Sequence, residues 1–232
     1  VGLQLLYSLL IVAKRHCLGY AHPIVDLLKR TWQLSGVNGP PHLRDRNLRA
    51  AAYSLAKTLV NTLGPVSCPI LVEPLAHAAF SDFSPPPKPP TEAELAAESE
   101  AAKRQRQADQ IAAAYDVGPD GKHDALDALH ALLLNGTELI PMAILSQIQN
   151  LLLAVTSNLG ATEHGIVAAP EAWAKGLEAL HAAVGTGRAS HDGVLPHALQ
   201  IFRMHSTGPR DQKVKQAAMT ALHALDALIH PA

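Results

Sequence analysis

The chain is 232 residues long, with 48% hydrophobic, 17% charged and 4% aromatic side chains, a mixture that excludes wholesale disorder and leaves ample chain for a core. Against 20 Asp and Glu stand 19 Lys and Arg, a formal charge of -1, which excludes a protein held to nucleic acid by bulk charge alone. Two cysteines, Cys17 and Cys68, exclude a disulfide framework and read as free thiols of a reducing compartment.

Ala and Leu dominate and aromatics are few, which favours helix over sheet. The first candidate helix, 2–17, carries an apolar run that ends at Ala13, followed by Lys14, Arg15 and His16. A signal peptide has its charge before the apolar region, and a bilayer span needs about 20 apolar residues, so this run reads as a buried helix. With Val1 at one end and Ala232 at the other, the sequence reads as a piece of a longer protein. Candidates 24–35, 43–63 and 68–80 follow. In 43–63 the residues Leu48, Ala52, Leu55, Leu59 and Leu63 make one apolar stripe, and Gly64-Pro65 stops the helix.

The run Ser84-Pro-Pro-Pro-Lys-Pro-Pro90 predicts an extended polyproline spacer. Behind it, candidate 91–115 opens on a capping box, Thr91 to Glu94, and runs from acidic (Glu92, Glu94, Glu98, Glu100) to basic (Lys103, Arg104, Arg106), in the sense that suits the helix dipole. Few large apolar residues lie between 91 and 110, which predicts a solvated, partly disordered insertion. The candidates 122–135, 142–159, 170–184, 194–205 and 209–230 complete the chain. In the last of these Val214, Ala218, Leu222, Leu225 and Ile229 form the stripe.

Three short strings recur: Leu126-Asp-Ala-Leu129, Leu177-Glu-Ala-Leu180 and Leu225-Asp-Ala-Leu228, at spacings of 51 and 48 residues. Stacked helix pairs of the HEAT or armadillo kind have periods of about 40–47, longer with loop insertions. The expected fold is therefore all-α, a HEAT/armadillo-like helical-repeat solenoid. Its expected division is a helical block at 1–83, a Pro-rich linker and charged insertion at 84–121, and a second helical block at 122–232.

No motif assembles a catalytic site. His123, Asp127 and His130 share a helical face, as do His223, Asp226 and His230. Two imidazoles and a carboxylate suit zinc, but leucines occupy the other side of the first helix, so the stripe reads as its solvated face. Ser54-Leu-Ala-Lys57 matches S-x-x-K of penicillin-recognising acyl enzymes without the companion motifs. Phosphate-binding glycine patterns do not occur. Two L-x-x-L-L boxes, at Leu6–Leu10 and Leu129–Leu133, have the spacing of helices that dock in nuclear-receptor grooves, which is also the spacing of any core helix. Arg46, Arg49, Tyr53 and Lys57 form a basic ridge with one aromatic, opposite the stripe of 43–63. Such a ridge is the candidate surface for an acidic partner or RNA.

Two segments carry a family resemblance. Leu48-Arg49-Ala-Ala-Ala-Tyr53-Ser54-Leu-Ala-Lys57-Thr-Leu59, continuing to Leu63-Gly64, resembles an L-R-x-x-x-Y-S-x-x-K-x-L…G stretch of the proline-, glutamic acid- and leucine-rich (PELP) proteins, relatives of the fungal Rix ribosome-assembly factor. The segment from Ala198 through Phe202-Arg203-Met204 and Leu225-Asp-Ala-Leu228-Ile229-His230-Pro231 is similar to the family's F-R…A-L…L-D-x-L-I-H-P pattern. The resemblance covers about a third of the chain and implies a non-enzymatic scaffold of the nucleus or nucleolus, without cofactor. Such scaffolds support spacer processing of large-subunit precursor RNA, with a WD-repeat protein, a second helical-repeat protein and the pre-60S particle as partners. The family's acidic Pro/Glu-rich tail and much of its N-terminal region have no counterpart here. Two other readings stand beside it: an unrelated helical-repeat adaptor in transport or signalling, and a helical metalloenzyme built on His123, Asp127 and His130.

Overall fold

The structure, a computed structural model, describes residues 2–36, 39–40, 43–83, 118–157, 169–185, 193–208 and 211–229. The described residues are helical, without strands. Nine α-helices are seen among them: α1 (Gly2–Ala13), α2 (Ala21–Ser35), α3 (Arg46–Leu63), α4 (Cys68–Phe83), α5 (Gly118–Gly136), α6 (Met142–Thr156), α7 (Pro170–Val184), α8 (Val194–Thr207) and α9 (Gln212–Ile229). Short 3₁₀ turns join α1 to α2, α3 to α4 and α5 to α6. The Pro-rich run and the charged candidate helix 91–115 lie outside the described residues.

Local chemistry accounts for several of the boundaries. Asp45 caps α3, its carboxylate accepting from the backbone N–H groups of Asn47 (2.8 Å) and Leu48 (3.3 Å). Gly64, at φ 67°, ends that helix in the left-handed region. The predicted helix 2–17 instead breaks at Lys14, whose φ is 46°, and a 3₁₀ turn leads into α2 three residues earlier than its candidate start. Helix α5 begins at Gly118, before its candidate start, because Pro119 and Asp120 suit a first turn.

The helices pack in a regular order. Helices α1, α3, α5, α7 and α9 touch one another in sequence, and so do α2, α4, α6 and α8. Each even-numbered helix also lies against the odd-numbered helix that follows it. A single hydrophobic cluster runs from Leu10 to Leu225, so the blocks before and after residues 84–117 share one core. Leu129, Leu132 and Leu133 of the second L-x-x-L-L box are buried in it, whereas the first box has Leu10 buried and Leu9 exposed.

Close packing fixes the glycine at the end of α5. At the α4–α5 contact a Cβ on Gly136 would sit 2.4 Å from Cys68 Sγ. Both cysteines are buried free thiols, and burial pushes the Cys68 thiol up to about 11.

Candidate functional site

The sequence-predicted ridge does not survive as a surface. Arg46 is exposed and Lys57 is half-buried, but Arg49 is 1% exposed and Tyr53 fully buried. The reason is that α3 is covered by α1, α2 and α5 together. Its buried arc is therefore wider than the single leucine stripe, and it takes in Arg49, Tyr53, Ala56 and Val60.

Arg49 is the hub of an interior polar cluster. Its Nε donates to both carboxylate oxygens of Asp82 on α4 (2.7 and 2.8 Å). Its Nη1 donates to the carbonyl of Trp32 on α2 (2.7 Å), and its Nη2 to the carbonyl of Ala78 on α4 (3.0 Å). Tyr53 donates its hydroxyl to Asp82 as well. One α3 side chain thus ties α2 to α4 while satisfying a carbonyl near the C-terminus of α2. The Trp32 and Tyr53 rings lie 5.4 Å apart, and a Cβ on Gly36 would come within 2.7 Å of Arg49 Nη1, so the backbone there must stay bare.

Burial dominates the electrostatics of this cluster. It pushes the Asp82 carboxyl above the ordinary carboxylate range, with Arg49, Tyr53 and Lys122 acting the other way. The Tyr53 hydroxyl is raised well above its usual value by burial and then by the Asp82 charge. Between α2 and α4 a groove of about 560 Å³ is lined by Lys29, Trp32, Arg49, Glu73 and His77 among others. Among the described residues the enclosed Trp32 indole N–H meets no acceptor.

A second polar array crosses three odd-numbered helices. Lys57 on α3 donates to Asp127 on α5, which also pairs with Lys175 on α7 at 3.4 Å. Lys175 donates to Glu178 at 2.6 Å, and Glu178 lies 3.8 Å from His130 on α5. Burial opposes the charge on Asp127, but Lys57 and Lys175 more than offset it and hold the carboxyl below its usual range. Lys175 is raised, because Glu178 and Asp127 outweigh the burial that works against its charge. His130 and His181 are both lowered, chiefly by burial. A third node sits between α6, α7 and α8, where the Thr156 carbonyl accepts from Trp173 Nε1 (3.3 Å) and pairs with His205 Nε2 (2.9 Å).

The His123, Asp127 and His130 face is therefore an interface rather than the solvated surface expected of it. Asp127 is held between two lysines, and His123 and His130 line a groove of about 450 Å³ with Lys175, Glu178, His181 and Lys213. Among the described residues no three His, Cys, Asp or Glu side chains converge as a metal site. His223 and Asp226 are exposed on α9, and His230 lies outside the described residues. Ser54 is exposed, and its S-x-x-K companion Lys57 is engaged with Asp127. What the arrangement supplies chemically is polar bonding between helices, in places where three helices meet.

Sequence reasoning missed Asp82, the acceptor on which the Arg49 cluster closes. A signal was present: Asp82 continues the apolar spacing of Leu71, Leu75 and Ala78, and a carboxylate on such a stripe demands a cationic partner. Compared with known proteins, the chain matches no family model and no curated protein.

Proposed function

We propose that this chain is a non-enzymatic helical-repeat scaffold of the HEAT/armadillo kind. It works in large ribosomal subunit assembly as a relative of the PELP/Rix proteins. The repeat reading rests on one observation: odd- and even-numbered helices each stack in chain order, with every even helix laid on the next odd one. That is the contact pattern of quasi-one-dimensional arrays, in which each unit touches only its neighbours.

The ribosomal reading rests on the resemblance of α3 and of the α8–α9 segment. Of the positions that carry it, Arg49, Tyr53, Leu59, Leu63, Phe202, Ala221 and Leu225 are buried, whereas Leu48, Ser54, Arg203 and Asp226 are exposed, so most of what the two segments have in common with that family is packing. The nuclear or nucleolar location and the partners follow from the same resemblance: a WD-repeat protein, a second helical-repeat protein and the pre-60S particle.

Affinity purification of the tagged chain from cells tests the proposal. The expected recovery is pre-60S proteins, spacer-containing precursor RNA and the two named kinds of partner. Recovery of transport or signalling proteins without pre-60S particles would refute the ribosomal reading and leave an adaptor. Arg46, exposed on α3, remains available to an acidic partner or RNA, and Lys57 is available in part. Arg46→Glu should release the complex without unfolding the chain; unchanged recovery would remove Arg46 from the binding surface.

A further inference from the structure

The groove between α2 and α4, at about 560 Å³, falls within the size range of small-molecule sites. Lys29 and Trp32 stand one turn apart on its α2 wall, and Glu73, Pro74 and His77 form its α4 wall. Arg49 of α3 also lines it, and that side chain is almost wholly buried, as is Trp32. The deep part of the groove is thus made of two polar side chains taken out of water.

Those two side chains present donors. The Trp32 indole N–H is enclosed and meets no acceptor among the described residues, and a buried donor without one costs free energy. The acceptors nearby are already engaged: the Trp32 and Ala78 carbonyls receive from Arg49, and Asp82 answers its charge. A peptide backbone, which alternates donors with acceptors, therefore fits this floor less well than an acceptor-only group. At the rim, Lys29 is exposed and forms no ion pair with the described residues, whereas Glu73 lies 4.0 Å from His77. An anion is drawn to the α2 wall and kept from the α4 wall by Glu73.

We propose that this groove binds a small organic acid, an apolar body that bears one carboxylate. The carboxylate accepts from the Trp32 indole N–H and pairs with Lys29 one turn before it, a charge-assisted arrangement. The apolar body lies along Pro74 and the Ala78 methyl, on the opposite wall. Such a ligand supplies the acceptor that the protein does not, and it leaves the Arg49 cluster intact. Because the pairing with Lys29 sits at the exposed rim, added salt weakens binding.

The chain has two tryptophans, so nuclear magnetic resonance of the isotope-labelled protein gives two indole N–H signals, and Trp32→Phe assigns them. The probe is naphthalene-2-carboxylate, with naphthalene-2-carboxamide as its uncharged match. The carboxylate should move the Trp32 signal downfield to saturation and leave the Trp173 signal in place. Lys29→Gln, an exposed change that should leave circular dichroism unaltered, should raise the Kd at least about threefold. A Trp32 signal that does not move overturns the proposal, as does a carboxamide that binds equally well or a Kd indifferent to Lys29→Gln. Tighter binding of the peptide acetyl-Ala-Ala-Phe, through its terminal carboxylate, would also overturn it and make a partner's C-terminus the occupant.

Discussion

Replacing Arg49 by Met keeps most of the apolar stem and removes the guanidinium from the α2–α3–α4 cluster. The variant loses four hydrogen bonds, two to Asp82 and one each to the Trp32 and Ala78 carbonyls. It leaves the Asp82 carboxylate buried with Tyr53 as its remaining donor in the cluster. Removing one partner of a buried ion pair costs about 3–5 kcal/mol, because the other charge stays desolvated. In a chain of this size each kcal/mol lowers Tm by about 2–4 °C, so the expected drop is about 6–20 °C. Adding Asp82→Leu should recover part of the loss, since the stranded carboxylate is then gone. The Tyr53 hydroxyl and the two carbonyls still lack their partners, so recovery stays incomplete. Urea unfolding followed by far-ultraviolet circular dichroism measures both variants. A cost for Arg49→Met below about 1 kcal/mol, the range of exposed ion pairs, would refute the buried cluster and return Arg49 to the surface. A double variant less stable than the single would refute the account of Asp82.

Gly136→Ala should cost about 1–3 kcal/mol by overpacking, since the new methyl meets Cys68 Sγ at 2.4 Å; thermal melting reads it, and an unchanged Tm would mean that α4 and α5 can separate freely. Asp127→Ala should cost about 1 kcal/mol and exceed Lys57→Ala, because it takes the carboxylate from Lys57 and leaves Lys175 with Glu178 alone, whereas Lys57→Ala leaves Asp127 paired with Lys175. Equal effects in a double-mutant cycle would show that the Lys175 contact is idle. His130 and His181 are held below their ordinary range in the fold, so the unfolded chain binds more protons than the native one as pH falls through the usual histidine range. Stability should therefore be full above that range and decline as pH drops through it. Denaturation midpoints across that range measure the slope, and the double variant His130→Gln/His181→Gln should flatten it; an unaltered slope would place the effect elsewhere.

Much of the helical pattern was legible in the residues, because periodicity and breakers act locally. The 170–184 candidate coincides with α7, and α3 stops at Leu63 as Gly64-Pro65 requires. The break at Lys14, where φ is positive, was not legible, since neither Gly nor Pro marks it. Of the α3 stripe, Ala52, Leu55, Leu59 and Leu63 are buried but Leu48 is exposed, and the buried arc is wider than the stripe, because a sequence does not say how many neighbours a helix will have. That one error moved Arg49 and Tyr53 from the interior to the surface. The pairing of Lys57 with Asp127 spans 70 residues and depends on α3 lying against α5, which spacing within either helix does not reveal. Asp82 was readable in principle, as a charge on an apolar stripe.

The chain has two tryptophans, and both are buried in different polar nodes. Trp32 on α2 lies tilted against Tyr53 with the rings 5.4 Å apart, while Trp173 on α7 meets the His205 ring edge-on at 4.9 Å. Each indole is therefore an optical probe of its own portion of the row, built in without any label. Trp32→Phe and Trp173→Phe separate the two emissions, and coincident unfolding curves would show that the row melts as one cooperative body. Divergent curves would show that it unzips from one end, and the brighter surviving signal would say which.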